Sequence, residues 1–162
     1  MKSRRLQPLK ATLVQEADFS IKHLDTNPED KIKIVDENNQ PLLDENFLPV
    51  GASKHEVIEN KLWHRCNRIL VMDELGNFYV QKRANGDGMF PGYFDLMSGG
   101  YVTLGDESDR ISAQKALMNQ YGIISPLTEV TTIQYIHDQD GSEDVELRSF
   151  INIFIAKIDS ST

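Results

Sequence analysis

One segment limits the choice of fold more than any other. Asp109 to Tyr121 has the length of a helix, carries small or apolar residues at Ser112, Ala113, Ala116 and Leu117, and is followed by Gly122 where a helix would stop. The chain around it reads as strands and turns. Arg65 to Met72, Glu129 to Ile136 and Val145 to Ile158 are strand-like runs. Mixed strands and helices in 162 residues predict one α/β or α+β domain, large enough for an ordinary hydrophobic core.

The remaining segments fit that plan. Ile32 to Val35 alternates weakly and runs into the turn cluster Asp36-Glu37-Asn38-Asn39-Gln40-Pro41, which predicts a strand entering a hairpin. Ser53 and Glu56 have the spacing of a capping box, with Val57, Ile58, Leu62 and Trp63 giving a short helix its apolar side. Asp73 to Asn77 reads as a hairpin turn and Phe78 to Gln81 as the returning strand. Ala84 to Gly92 is loop-like, Tyr93 to Met97 is extended, and Ser98-Gly99-Gly100 reads as a tight turn where the backbone needs freedom or a close approach. An acidic loop, His137 to Asp144, joins the last two strands. Thr12 to Val14 and Phe19 to Ile21 are short strand-like stretches in an otherwise aperiodic start. The expected organisation is an N-terminal extension over 1–30 and a domain over 31–162. No internal repeat or low-complexity tract stands out.

Charge narrows the function. Seventeen basic and 25 acidic side chains give a net charge of −8. That balance argues against nucleic acid and anionic membranes as partners, since both reward clustered Lys and Arg. The acids collect in turns and hairpins, at 36–37, 73–74 and 138–146. The single cysteine, Cys66, excludes an intrachain disulfide framework and makes a reducing cytoplasm the default compartment. Cys66 itself reads as an inert buried thiol and His64 as a hydrogen-bonded structural residue. The run Ile69 to Met72 is far too short to span a bilayer.

The stretch from Gly99-Gly100-Tyr101-Val102 to Gly122-Ile123 resembles a Nudix box, the loop–helix–loop of Nudix hydrolases. The family pattern is Gly, five residues, Glu, seven residues, Arg-Glu, an aliphatic, any residue, Glu-Glu, any residue, Gly and an aliphatic. Counted back from Gly122-Ile123, its positions hold Glu107, Lys115, Ala116, Leu117, Asn119 and Gln120. Leu62-Trp63-His64-Arg65, Gln81-Lys82-Arg83 and Phe90-Pro91-Gly92-Tyr93 follow in the family's order and look most like the branch related to isopentenyl-diphosphate isomerase. The resemblance spans about residues 31 to 158 and implies an α/β/α sandwich with a mixed β-sheet.

It also implies a chemistry: attack of water on a diphosphate, with Mg²⁺ or Mn²⁺ neutralising charge and acidifying the water. Those cations want carboxylate oxygens. The family places three glutamates three and four residues apart on one helix face. Here those positions are Ala116, Asn119 and Gln120, so the box is degenerate, and Lys115 replaces the family's arginine. Counting from Gly100 puts the loop carboxylate at Asp106, whereas counting from Gly122 puts it at Glu107.

The resemblance therefore nominates Glu107 and Lys115 as catalytic residues. Lys82, Arg83, Phe90, Gly99 and Gly100 are the substrate-binding candidates, and Asp106, Glu107 and Gln120 the metal-ligand candidates. Ser98 and Gly100 stand where the isomerase relatives carry Cys and His, so isomerase activity is not expected. Two functions compete. One is a divergent hydrolase of a nucleoside diphosphate linked to another group. The other is a catalytically silent domain that binds a nucleotide, another small phosphorylated molecule or a protein. Either would act as a monomer or a homodimer.

Overall fold

The computed structural model describes residues 30–83, 91–138 and 146–159. The stretches noted at 12–14 and 19–21, Phe90, and the acidic tip over 139–145 lie outside them. The elements in chain order are β1 (Ile32–Lys33), β2 (Gly51–Ala52), α1 (Lys54–Glu59), β3 (His64–Asp73), β4 (Gln81–Lys82), β5 (Phe94–Asp95), β6 (Met97–Tyr101), α2 (Asp109–Tyr121), β7 (Leu127–Asp138) and β8 (Glu146–Ile158).

A mixed four-stranded sheet, ordered β6-β3-β8-β7, organises the fold. β3 runs parallel to β8 and antiparallel to β6, and β7 returns antiparallel along β8 with a bulge between Glu129 and Thr131. Two small antiparallel pairs, β1–β2 and β4–β5, flank it. The α/β class and mixed sheet expected from the sequence are what the chain adopts.

α2 has the limits its sequence implies. The Ser108 hydroxyl accepts from Ile111 N–H at its start, and Gly122 closes its end in the left-handed conformation, φ 67°. Its buried side, Ala113 and Leu117, packs on Ile69 and Val71 of β3, Phe154 and Ala156 of β8, and Leu127 of β7. Leu117 is wholly buried, and cutting it to Ala would cost about 2–5 kcal/mol. On β3 the residues facing α2 are therefore 65, 67, 69 and 71. Tyr101, paired with Cys66, points to the other face and packs on a second cluster of Ile32, Ile34, Ala52 and Val57. Val57 belongs to α1, so the two helices lie on opposite faces. α1 carries both halves of its capping box: Glu56 N–H donates to Ser53 Oγ, and Ser53 N–H to Glu56 Oε2.

Two local expectations are corrected. Phe78 to Gln81 is not a full returning strand: Phe78 makes a single bridge to Met72, and β4 starts only at Gln81. Ser98-Gly99-Gly100 is not a tight turn but the middle of β6.

One small repeat does exist, at the scale of a turn. Asp36, Asp44 and Asp73 each begin the same hairpin. In every case the aspartate Oδ1 accepts from the N–H groups two and four residues on. Its carbonyl accepts from the third, which has positive φ: Asn39 at 63°, Phe47 at 60° and Gly76 at 83°. Asn and Gly suit that conformation, and a bulky aromatic does not. Phe47 is also 81% exposed.

Candidate functional site

The site lies where β6 meets α2 and the loop between them. Gly99, in β6, has φ 142°, and a Cβ there would lie 1.9 Å from the carbonyl oxygen of Asn67 on β3. A glycine is needed because two backbones approach closely, not because the chain turns. Gly100 has open space beside it.

Gln120, on the last turn of α2, closes on Gly99 with both ends of its amide. Oε1 accepts from Gly99 N–H at 3.0 Å, and Nε2 donates to the Gly99 carbonyl at 2.7 Å. Both hydrogen-bonding ends of the side chain are thus occupied by backbone. This is the position the sequence nominated as a metal ligand. Beside it on the helix, Asn119 is exposed and Ala116 is partly buried against the core.

The loop carboxylates separate clearly. Asp106 is turned inward, with a side chain 5% exposed, and forms an ion pair with Lys115 while Thr103 Oγ1 donates to its other oxygen at 2.8 Å. Glu107 is exposed. Of the two carboxylates that counting left open, it is Asp106 that pairs with Lys115. Burial would push the Asp106 carboxyl up. Hydrogen bonds from Lys115, Thr103 and Ser112, with the charge of Lys115, outweigh it and hold the group below the usual carboxylate range.

Lys82 and Arg83 leave β4 toward β5. The Lys82 ammonium lies 5.9 Å from the Phe94 ring centroid, and Arg83 Nε donates to Asp95 Oδ2 at 2.7 Å. Asp95 also links this hairpin to α2: burial, and then the Asp95 charge, push the Tyr121 phenol up to about 12. The Tyr121 hydroxyl and the Ser98 Oγ are buried without a hydrogen-bond partner among the described residues. The structure thus brings Gly99, Gln120, Tyr121 and the Arg83–Asp95 pair to one end of α2, and ties Asp106 of the loop before it to Lys115 in the helix. Phe90 lies outside the described residues.

A buried polar network was not anticipated. Asn67 Nδ2 donates to the Asp109 carbonyl at 2.9 Å, and Asn152 Nδ2 to Asp109 Oδ2 at 2.8 Å and Asn67 Oδ1 at 3.1 Å. Thr132 Oγ1 donates to Asn152 Oδ1, and Arg65 bridges Asp109 to the Asn39 turn. It pins the start of α2 to β3, β7 and β8. Its sequence signal is Asn152 in the middle of an otherwise apolar strand.

The remaining candidates are structural. His64 is buried, its Nδ1 3.0 Å from the Leu62 carbonyl, and burial lowers its pKa so that it is neutral at physiological pH. Burial pushes the Cys66 thiol up to about 11, too high for a reactive thiolate. Among the described residues no group of three or more His, Cys, Asp and Glu side chains is arranged to hold a metal ion. Among them, too, no helix is long and apolar enough to cross a membrane.

No family model matches the chain. Curated proteins do. An uncharacterized Nudix hydrolase of Pseudomonas aeruginosa is 35% identical over 82 residues, covering 50% of this chain and 48% of the relative. One of Yersinia pestis is 32% identical over 89 residues, covering 53% and 45%. The chain thus spans about half the length of these relatives. Among solved structures, DR0079 from Deinococcus radiodurans shares the fold, with a TM-score of 0.52 at 15% identity over 74% of this chain and 72% of that one. The fold is the α/β architecture of Nudix-type structures. The curated relatives are Nudix hydrolases, and the chain is similar to them over about half its length.

Proposed function

We propose that this domain binds a small phosphorylated molecule, of the class of a nucleoside diphosphate linked to another group, without the helix-borne metal cluster of its family. The observation that carries this reading is the Gln120 amide closed on both backbone groups of Gly99. Mg²⁺ or Mn²⁺ would need anionic oxygens on this face of α2. Ala116 offers no donor, Asn119 a neutral one, and Gln120 an amide already engaged. The donor set does not fit the ion, so no hydrolytic step is routed through it. Lys115 is neutralised by Asp106. Arg83 is paired with Asp95, so the positive charge for phosphate comes from the Lys82 ammonium, with Phe94 and Tyr93 exposed beside it as apolar surface. The lone buried Cys66 suits a reducing compartment such as the cytoplasm.

The test is thermal stabilisation by a panel of nucleoside diphosphate conjugates, with and without EDTA, run beside a turnover assay. A ligand at a hundred times its Kd should add about 2.7 kcal/mol of stability whether or not metal is present. Mg²⁺-dependent turnover near the ordinary enzyme median of about 10 per second would refute the reading.

A second reading, a divergent hydrolase, rests on the exposed carboxylate of Glu107 beside the start of α2 and on the activity named for the curated relatives. It requires metal-dependent turnover that Glu107→Gln reduces strongly.

A further inference from the structure

The small hairpin of β4 and β5 wears its aromatic ring on the outside. Successive side chains of a strand point to opposite faces, and residues paired directly across two strands share one. Gln81 pairs with Asp95, and Lys82 with Phe94. Gln81 and Asp95 are half-buried, and Asp95 is held by its ion pair with Arg83. The other face turns Lys82 and Phe94 to solvent, and the Phe94 side is 61% exposed. Val80, two residues before Lys82, and Leu96, two after Phe94, are exposed as well. An apolar patch bearing a charge and left open to water is the kind of surface that marks a binding site.

We propose that Phe94 is the platform on which the base of a nucleoside diphosphate stacks while Lys82 holds its phosphate. The inference rests on the phosphate-binding reading above and adds the ring that the ligand must carry. The Lys82 ammonium lies over the Phe94 ring, 5.9 Å from its centroid, and no carboxylate pairs with it among the described residues. At an exposed site a cation–π contact of this kind is weak. A phosphate takes the ammonium from the ring. The bared ring then accepts a base, and stacking tolerates any base because each has a π face. One molecule carrying both an anion and a flat ring satisfies both groups. An anion alone leaves the ring in water, and a ring alone must compete with the ammonium. Larger partners fit poorly. Two strands of two residues offer one ring and one charge, far less than the roughly 800 Å² per partner of a standard protein interface. A single ammonium on a chain of net charge −8 gives an anionic membrane little to hold.

The experiment is calorimetric titration of the full chain in EDTA with ADP, and with inorganic pyrophosphate as the anion without a base. ADP should bind at least about fivefold more tightly than pyrophosphate. Phe94→Ala should weaken ADP about 5- to 150-fold, the loss of one stacked ring, and leave pyrophosphate unchanged. Phe94→Tyr should keep ADP binding, since the ring remains. Lys82→Met should weaken both ligands. Both side chains are exposed, so the variants should keep the Tm of the parent. ADP binding that survives Phe94→Ala unchanged overturns the inference and leaves the phosphate reading standing. ADP binding that survives Lys82→Met unchanged overturns the pairing of the two groups. A parent that binds neither ligand at millimolar concentration refutes the phosphate reading, and this inference with it.

Discussion

Exchanging the Gln120 amide for a carboxylate probes the centre of the site. Gln120 donates to the Gly99 carbonyl at 2.7 Å and accepts from the Gly99 N–H at 3.0 Å. In Gln120→Glu the acceptor half survives, while the donor half becomes an oxygen facing an oxygen. A carbonyl stripped of its donor costs about 1–3 kcal/mol. For a domain of this size that is roughly 2–12 °C in Tm. The loss should depend on pH. The introduced carboxyl is restored as a donor by protonation, so its pKa in the folded protein rises. The destabilisation is then absent below the unfolded value of about 4.3, grows as pH rises, and is complete above the folded pKa. Mg²⁺ or Mn²⁺ should recover part of it, since a cation between two oxygens does what the amide proton did. The assay is thermal unfolding of both proteins between acidic and neutral pH, in EDTA and in Mn²⁺. A variant as stable as the parent at neutral pH in EDTA would refute the reasoning.

Three further outcomes follow from the geometry. Phe47→Asn should raise stability by about 1 kcal/mol, because the side chain is exposed and Asn39 occupies the same positive-φ place in the sister turn; urea melts read it directly. Gly99→Ala should destabilise by at least about 2 kcal/mol in the same melts, since its Cβ meets the Asn67 carbonyl and φ is 142°. Asp106→Asn should remove part of the acid sensitivity. The Asp106 carboxyl is held below its ordinary value, so its contribution is full above the unfolded pKa of about 3.9 and is lost as pH falls through the folded value. The stability difference between parent and variant should be constant at neutral pH and shrink toward zero in acid.

What the sequence revealed was local. The bounds of α2, both halves of the α1 capping box and the course of β3 follow from spacing and end signals within a dozen residues. What it concealed depends on contacts far apart along the chain. Asn152 meets Asn67 across 85 positions, and Gln120 meets Gly99 across 21. Gly99 reads as a turn glycine in sequence, yet it sits inside a strand because Asn67 of β3 approaches it. Two adjacent carboxylates, Asp106 and Glu107, are equivalent by counting; only the path of the loop decides that the first turns under Lys115. The family resemblance nominated the region around α2, and its departures at Ala116, Asn119 and Gln120 posed the chemical question that the fold then sharpened.

That question has a direct measurement. A crystal of the parent protein soaked in Mn²⁺ and measured at the manganese edge would report any ion at the end of α2. The expected result is no anomalous peak within coordinating distance of Gln120 and Gly99, and an intact amide clasp. A strong peak bridging Gln120 or the Gly99 carbonyl to a neighbouring carboxylate would contradict it and return the protein to metal-dependent hydrolysis.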